Sequence, residues 1–422
     1  MAPEWPETTL EQVALPEGVV GGPFGSELVR ADYTATGVPV IRGSNLGASD
    51  RRFNASEFVY VSREKTDALR RNLAVPGDIV VTQRGTLGQA AVVPDIGYEQ
   101  FVISQSQMRL RCDPARADLL FVYYWLLLPE TVRYVQRNAV AAGVPHINLG
   151  FFRTMRLRLP SIREQQAIAS ILGALDDKIE LNRQMNETLE ELARTIFKSW
   201  FVDFDPVRAK AEGHQPVGMD AETAALFPSR LVESELGEIP KGWDIGRLDD
   251  LLVLQRGFDL PTPSRQPGPY PVVAASGPTA GHVEARVQGP GVVTGRSGVL
   301  GRVFLVLEDF WPLNTALWVK EFRVARPHHA YFLLQGIDLA QFNAGSAVPT
   351  LNRNHVHGLR MVVPPLNVVE RFEAAVAPLF LRRKHNAEES KTVAHLRDLL
   401  LPKLISGELR IPDAEKLVED VA

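Results

Sequence analysis

Val144-Pro145-His146-Ile147-Asn148 returns as Val348-Pro349-Thr350-Leu351-Asn352, and the spacing of 204 residues then holds without a gap until Phe201 falls on Ile405. Pro160 falls on Pro364, Ile162 on Leu366, Asn182 on Asn386 and Leu192 on Leu396. A repeat of this length settles the plan of the chain before any local signal is weighed.

Each copy has two parts. Met155-Arg156-Leu157-Arg158-Leu159 alternates like a strand and is closed by Pro160, which lacks a ladder donor. A long helix follows, opened by Ser161 with Glu164 three residues on, the signature of a capping box. Ile168, Leu172, Leu175, Ile179, Asn182, Met185, Leu189, Leu192 and Ile196 recur at steps of four and three, which predicts a coiled-coil seam along a rod of roughly 57 Å. The second copy carries Phe372, Val376 and Leu379 at one end and Val393, Leu396, Leu400 and Leu404 at the other, around a polar middle from Arg382 to Lys391. Neither seam is buried by one helix alone. The expected solution is an antiparallel pair related by a pseudo-twofold axis, with Asn182 and Asn386 fixing its register.

The expected fold class is therefore α+β: two similar globular domains joined by two long antiparallel helices. The boundaries read as domain 1 over 1–160, helix 1 over 161–202, a connector over 203–240, domain 2 over 241–364, helix 2 with its C-terminal segment over 365–410, and a tail over 411–422. The connector is rich in proline, glycine and acid, so it is expected to run over the surface, with a short helix at Asp220 to Leu226. Phe121 to Arg137 reads as one apolar helix of the core.

The net charge of −4 hides a division. Lys and Arg exceed Asp and Glu by one over 1–160 and by three over 241–363, and fall short by five over 203–240. Mildly positive globular regions permit nucleic-acid binding without demanding it. The start, Met1-Ala2-Pro3-Glu4-Trp5, has neither a basic nor an apolar leader region, and Leu119 to Leu128 is too short to span a bilayer. A single cysteine, Cys112, excludes an internal disulfide and fits a reducing cytoplasm.

The two globular regions repeat one series of motifs. Trp243 to Leu251 resembles Trp5 to Val13, and Tyr270-Pro271-Val272-Val273 answers Val38-Pro39-Val40-Ile41. Thr82-Gln83-Arg84-Gly85-Thr86 answers the stretch that holds Thr294 and Arg296-Ser297, with Arg84 set on Arg296 and one extra residue in the later loop. Ser104-Gln105 answers the region of Asn314. Glycines let such loops turn tightly, and arginine bonds guanine bidentately as asparagine bonds adenine, each worth about 1–3 kcal/mol of discrimination. Candidate DNA contacts are Arg42, Ser44, Asn45, Arg84, Gly85, Thr86, Ser104, Gln105, His146 and Asn148 in the first half. In the second half they are Arg296, Ser297, Asn314, Thr350, Asn352 and Arg353. For Asn148 and Asn352 helix capping is an equal alternative. Arg51-Arg52, Arg63, Lys65 and Arg70-Arg71 read as solvated surface charges.

Catalytic patterns are missing. Gly295, Gly298 and Gly301 have the wrong spacing for a dinucleotide fingerprint, there is no Walker motif, and Val363-Pro364-Pro365-Leu366 lacks the Asn or Asp of an adenine methyltransferase motif. Glu389-Ser390-Lys391 matches a nuclease triple but lies in the middle of a helix, and His328-His329, His355 and His357 lack metal-site spacing.

Three stretches carry a family resemblance: Pro160-Ser161-Ile162-Arg163-Glu164-Gln165-Gln166, Leu175-Asp176-Asp177-Lys178-Ile179-Glu180-Leu181-Asn182, and Phe197-Lys198-Ser199-Trp200-Phe201-Val202-Asp203-Phe204-Asp205-Pro206. With Leu400 to Arg410, they resemble the first helix, its exit and the C-terminal segment of the DNA specificity subunit of Type I restriction-modification systems. Asn367-Val368-Val369-Glu370 departs from the pattern of Arg163 to Gln166. The resemblance implies a non-catalytic subunit whose two domains each read half of a bipartite target in double-stranded DNA. The helices would set the spacer and dock two modification subunits, which hold S-adenosylmethionine and methylate adenine, while restriction subunits use ATP and Mg²⁺. No cofactor is expected in this chain. The competing reading from composition alone is a protein–protein adaptor without DNA binding, and a self-contained nuclease is a third.

Overall fold

The computed structural model describes residues 5–47, 51–140, 143–345 and 348–419. Two compact units divide the chain, one of residues 1–185 with 385–422, the other of 186–384. The first long helix, Ile162–Phe201, and the second, Leu366–Ile405, are each 40 residues, about 60 Å at the usual rise. The division runs through the middle of both helices, so each unit consists of a globular head and half of each helix.

In unit 1 the head begins with β1 (Glu7–Thr9), α1 (Leu10–Val13) and β2 (Ala14–Gly21). It continues through β3 (Tyr33–Thr34), β4 (Val38–Ile41), β5 (Val59–Val61), α2 (Arg63–Ala68), β6 (Leu73–Ala74) and β7 (Ile79–Thr82). β8 (Ala90–Val92), β9 (Phe101–Ile103), β10 (Gln107–Cys112), α3 (Leu119–Leu127), α4 (Pro129–Arg137), α5 (Leu149–Thr154) and β11 (Arg156–Arg158) complete it. One sheet has the order β2-β10-β7-β8, a second β3-β5-β4-β9-β6, and β1 pairs with β11. Thr9 caps α1 in a capping box with Gln12, and Leu10 and Val13 are buried from there.

Unit 2 repeats this topology. After α6 (Asp205–Ala211), α7 (Ala221–Ala225) and the hairpin β12 (Leu231–Ser234) and β13 (Gly237–Pro240), the head runs β14 (Asp244–Arg247), α8 (Leu248–Leu251), β15 (Leu252–Arg256), β16 (Tyr270–Ala274) and β17 (Gly277–His282). β18 (Gly291–Gly295), β19 (Val303–Val306), β20 (Trp311–Pro312), β21 (Ala316–Phe322), α9 (Pro327–Gln335), α10 (Arg353–His357) and β22 (Arg360–Val363) follow. The sheet β15-β21-β18-β19 matches β2-β10-β7-β8, and β14 pairs with β22 as β1 does with β11. Each head also holds a parallel strand pair, β4 with β9, where Val40 lies opposite Val102, and β16 with β20, where Val272 lies opposite Trp311.

The helix halves belong to the core of each head. Ile168, Leu172, Leu175 and Ile179 share one buried cluster with Val393, Leu400 and Leu404 of the second helix and with Phe121, Tyr124 and Leu157 of the head. Because Asn182 faces Glu389 and Asp176 faces Arg397, the helices run antiparallel there. In unit 2, Phe197 and Trp200 meet Phe372 with Phe332 and Trp243 of the head.

Each unit fastens its head to the helix pair by the same chemistry. In unit 1 the buried Asp176 carboxylate accepts from Tyr124 Oη at 2.7 Å, Arg52 Nε at 3.2 Å and Arg397 Nη1 at 2.7 Å. In unit 2 Glu190 accepts from Tyr331 Oη at 2.8 Å, Arg194 Nη2 at 3.2 Å and Arg383 Nη2. Burial, then the nearby carboxylate, pushes both phenols up, Tyr331 to about 12, so each remains a donor. Arg52 is thus an anchor of the first head and not a solvated surface charge.

Three further expectations change. Phe121 to Arg137 is two helices, because Pro129 breaks the first and starts the second as its N1 residue. The connector contributes to the core of unit 2 through buried Phe204, Val207 and Phe227, while Asp220 does cap the short helix expected there. Beyond Asn182 the seam passes through Ala193, Phe197 and Trp200, and Leu192 is 48% exposed. Asn182 to Ala193 is an eleven-residue step, three turns of an unsupercoiled helix, so the heptad count falls one residue short. At the C-terminus Ile411–Glu419 is helical, with Ala414 buried in unit 1.

Candidate nucleic-acid interface

In each head, loops far apart in sequence are laced together by backbone hydrogen bonds. In unit 1, Gln83 N and Arg84 N donate to Ser106 O at 2.7 and 3.2 Å, Gly85 N to Pro145 O at 3.0 Å, and Ile147 N to Gln83 O at 3.0 Å. The same set recurs in unit 2: Arg296 N and Ser297 N donate to Thr315 O at 2.9 and 3.0 Å, Gly298 N to Pro349 O at 2.9 Å, and Leu351 N to Arg296 O at 2.8 Å. Three of the stretches proposed from sequence therefore meet in one loop cluster per unit, with Ser104 tied to Ile41 O as Leu313 is to Val273 O.

This lacing corrects the pairing of the arginines. Gly85 and Gly88 correspond to Gly298 and Gly301, all four at positive φ, so the two loops align without an extra residue. Arg84 then stands where unit 2 has Ser297, and Arg296 stands where unit 1 has Gln83. The extra residue lies ahead of the loop, hidden by the chance recurrence of Thr-x-Arg.

The side chains differ in what they are free to do. Arg84, Gly85 and Thr86 are exposed, and among the described residues Arg84 makes no side-chain hydrogen bond or ion pair. Arg296 is half-buried and its Nη1 donates to Asn314 O at 2.9 Å. Asn314 in turn donates to Asp259, which also accepts from Arg256 Nη2 at 3.2 Å. Thr350 and His146 turn back on their own loops, to Val348 O at 3.0 Å and Val144 O at 3.2 Å. Arg353 reaches Leu254 O at 3.4 Å.

Both conserved-spacing asparagines cap helices. Asn148 Oδ1 accepts from Phe151 N at 2.7 Å to start α5, and Asn352 Oδ1 from Asn354 N at 3.0 Å to start α10. Asn45 is fully buried, accepting from Arg42 N at 2.9 Å and donating to Asn54 O at 2.9 Å. Arg42 Nη2 donates to Glu57 O at 3.1 Å, and Ser44 is exposed. Ser104 Oγ bonds Gln107, and Gln105 Nε2 donates to Gly25 O and to Leu28 O at 2.8 Å.

Those last contacts show a fourth segment that the sequence reading missed, Gly22 to Leu28 after β2. Its counterpart is Gly257 to Leu260, because Gly22 N bonds Gln107 O as Gly257 N bonds Ala316 O. The signal was present as Gly21-Gly22-Pro23-Phe24-Gly25, but without the pairing of β2 to β10 nothing connected it to Ser104.

A model of the Type I restriction modification DNA specificity domain matches residues 33–191. The chain is 27% identical to the HindI specificity subunit of Haemophilus influenzae over 402 residues, covering 79% of this chain and 86% of the relative. Over those residues and along most of its length, the chain is similar to specificity subunits of Type I restriction-modification systems. The MjaIX specificity subunit of Methanocaldococcus jannaschii is 23% identical over 389 residues, with 85% of each chain covered. The specificity-subunit fold is shared with the S subunit from M. genitalium, at a TM-score of 0.60 and 18% identity over 96% of this chain and 99% of that one. In the loop clusters of this chain equivalent backbone carries unlike side chains, Gln83-Arg84 in one unit and Arg296-Ser297 in the other.

Proposed function

We propose that this chain is the non-catalytic reader of a Type I restriction-modification complex, in which each head recognises one half of a bipartite sequence in duplex DNA. The paired helices act as the spacer and as the dock for two modification subunits, with restriction subunits joining the assembly. The observation that carries the reading is the pair of loop clusters, laced by equivalent backbone bonds yet differing at the tips, as two readers of different sequences require. Exposed Arg84 supplies a bidentate donor of the kind that selects guanine. S-adenosylmethionine belongs to the modification partner and ATP with Mg²⁺ to the restriction partner.

The test is methylation mapping of the complex reconstituted with its methyltransferase partner, beside electrophoretic shifts of the chain alone and of the complex. A two-part motif with an unread gap supports the proposal. Uniform binding to unrelated duplexes, or none, defeats it.

A further inference from the structure

Phe24 is 88% exposed, yet the loop that carries it is held on several sides. Phe24 N donates to Glu27 Oε2 at 2.7 Å, Glu27 N returns to Phe24 O at 3.1 Å, and Gly22 N bonds Gln107 O at 2.8 Å. A Cβ on Gly22 would lie 2.0 Å from Ser104 O, so glycine there lets the two loops close on each other. Gln105 has its amide nitrogen committed to Gly25 O and Leu28 O. It is thereby a clip for the loop, and the ring of Phe24 is what the loop presents.

The equivalent place in unit 2 is braced through its side chain instead of its backbone, and has the opposite chemistry. By the match of Gly22 to Gly257, Asp259 stands where Phe24 stands, and Asn314, the counterpart of Gln105, donates to it. A residue that merely fills space would be buried. This position is exposed in both heads, braced in both, and apolar in only one.

We propose that Phe24 is a base-reading residue of the first head, packing on the 5-methyl group of a thymine in the half-site that head recognises, with Gln105 as its positioning residue. The 5-methyl is the one apolar group that base pairs display in the major groove, so an apolar reader there selects thymine. This rests on the reading of unit 1 as a DNA reader.

The experiment uses the complex assembled with its modification partner and its own mapped target. Each thymine of the first half-site is replaced singly by uracil, and binding is followed by electrophoretic shift. At one thymine the wild type should lose about fivefold or more. Phe24→Ala should bind the natural duplex about as weakly as the wild type binds that uracil duplex, and should no longer distinguish the two. Phe24→Leu should keep part of the preference, and Gln105→Ala should lose it at the same base pair only. No uracil-sensitive thymine in the wild type, an unchanged profile in Phe24→Ala, or an even loss across unrelated duplexes overturns the proposal. Thermal unfolding matched to wild type excludes a folding defect, as expected for a side chain in water. A wild type without preference in the first half-site defeats the DNA reading of unit 1, whereas a selective wild type with an indifferent Phe24→Ala defeats only the role of Phe24.

Discussion

Arg84 and Arg296 look alike in sequence and differ in place. Arg84 extends from a tip whose backbone is fixed at both neighbours, whereas Arg296 is bent back onto Asn314 O. Arg84→Ala should relax one base position of one half-site and leave the other half-site intact, read by methylation mapping. An even loss on all sequences would make it a phosphate contact. A second residue-scale effect concerns His329, which is buried among the rings of Phe197, Phe201 and Phe372. Burial pulls its pKa down from 6.5 to about 3. The unfolded chain therefore takes up the proton first. Its contribution is whole above pH 6.5 and is lost as pH falls toward 3, by about 1.4 kcal/mol per unit at most. Urea denaturation at pH 7.5 and 5 should show this loss in the wild type, and His329→Phe should reduce it.

At the scale of elements, the two anchors explain how a helix pair holds heads that have diverged. Asp176 and Glu190 both lie on the first helix, 14 residues apart, and neither falls on an acid in the second helix, where the equivalent positions hold Phe380 and Ala394. The device was not copied with the repeat; each head has its own version. Asp176→Asn would leave Arg52 and Arg397 without their shared carboxylate, and since both are largely covered the loss should be about 3 kcal/mol. Chemical denaturation of the full chain checks this, and Arg52→Ala and Asp176→Asn should be strongly non-additive in a double-mutant cycle. The capping asparagines belong to this scale as well. Asn148→Ala should cost about 1 kcal/mol through loss of the cap, with Asn148→Asp recovering most of it.

At the scale of the whole molecule, the two helices are the continuous elements that pass from one unit to the other, and their polar centre sets how they slide. Asn182 is buried and donates to Glu389 at 2.8 Å and Ser390 at 3.3 Å, while Lys178 pairs with Glu389 at 3.0 Å. An insertion in one helix alone breaks this register. Four residues inserted after Asn182 with four more after Asn386 should add about 6 Å by helix rise, close to two base-pair steps of roughly 3.4 Å. The mapped target should keep both half-sites and gain a longer unread gap; an unchanged gap would rule out the helices as the ruler.

The repeat, the two long helices and the placement of strand before helix were legible in the sequence because they depend on local periodicity and on a constant shift. The break at Pro129 was a local signal that the apolar pattern around it masked, whereas the stutter after Asn182 and the role of Phe204 and Phe227 were not legible, since each depends on what an apolar residue finds to pack against. The candidate loops were legible as motifs, but their alignment was not: Thr82-x-Arg84 and Thr294-x-Arg296 match by letter and mismatch by hydrogen bond. By itself the sequence determined a duplicated α+β chain with matched struts. Only the tertiary structure decided that Gln105 reaches Gly25, that Arg52 reaches Asp176 and that Arg84 stands opposite Ser297 in the repeat, because those relations join residues whose separation along the chain carries no periodic signal and are set by strand pairing and by the packing of the head on the helices.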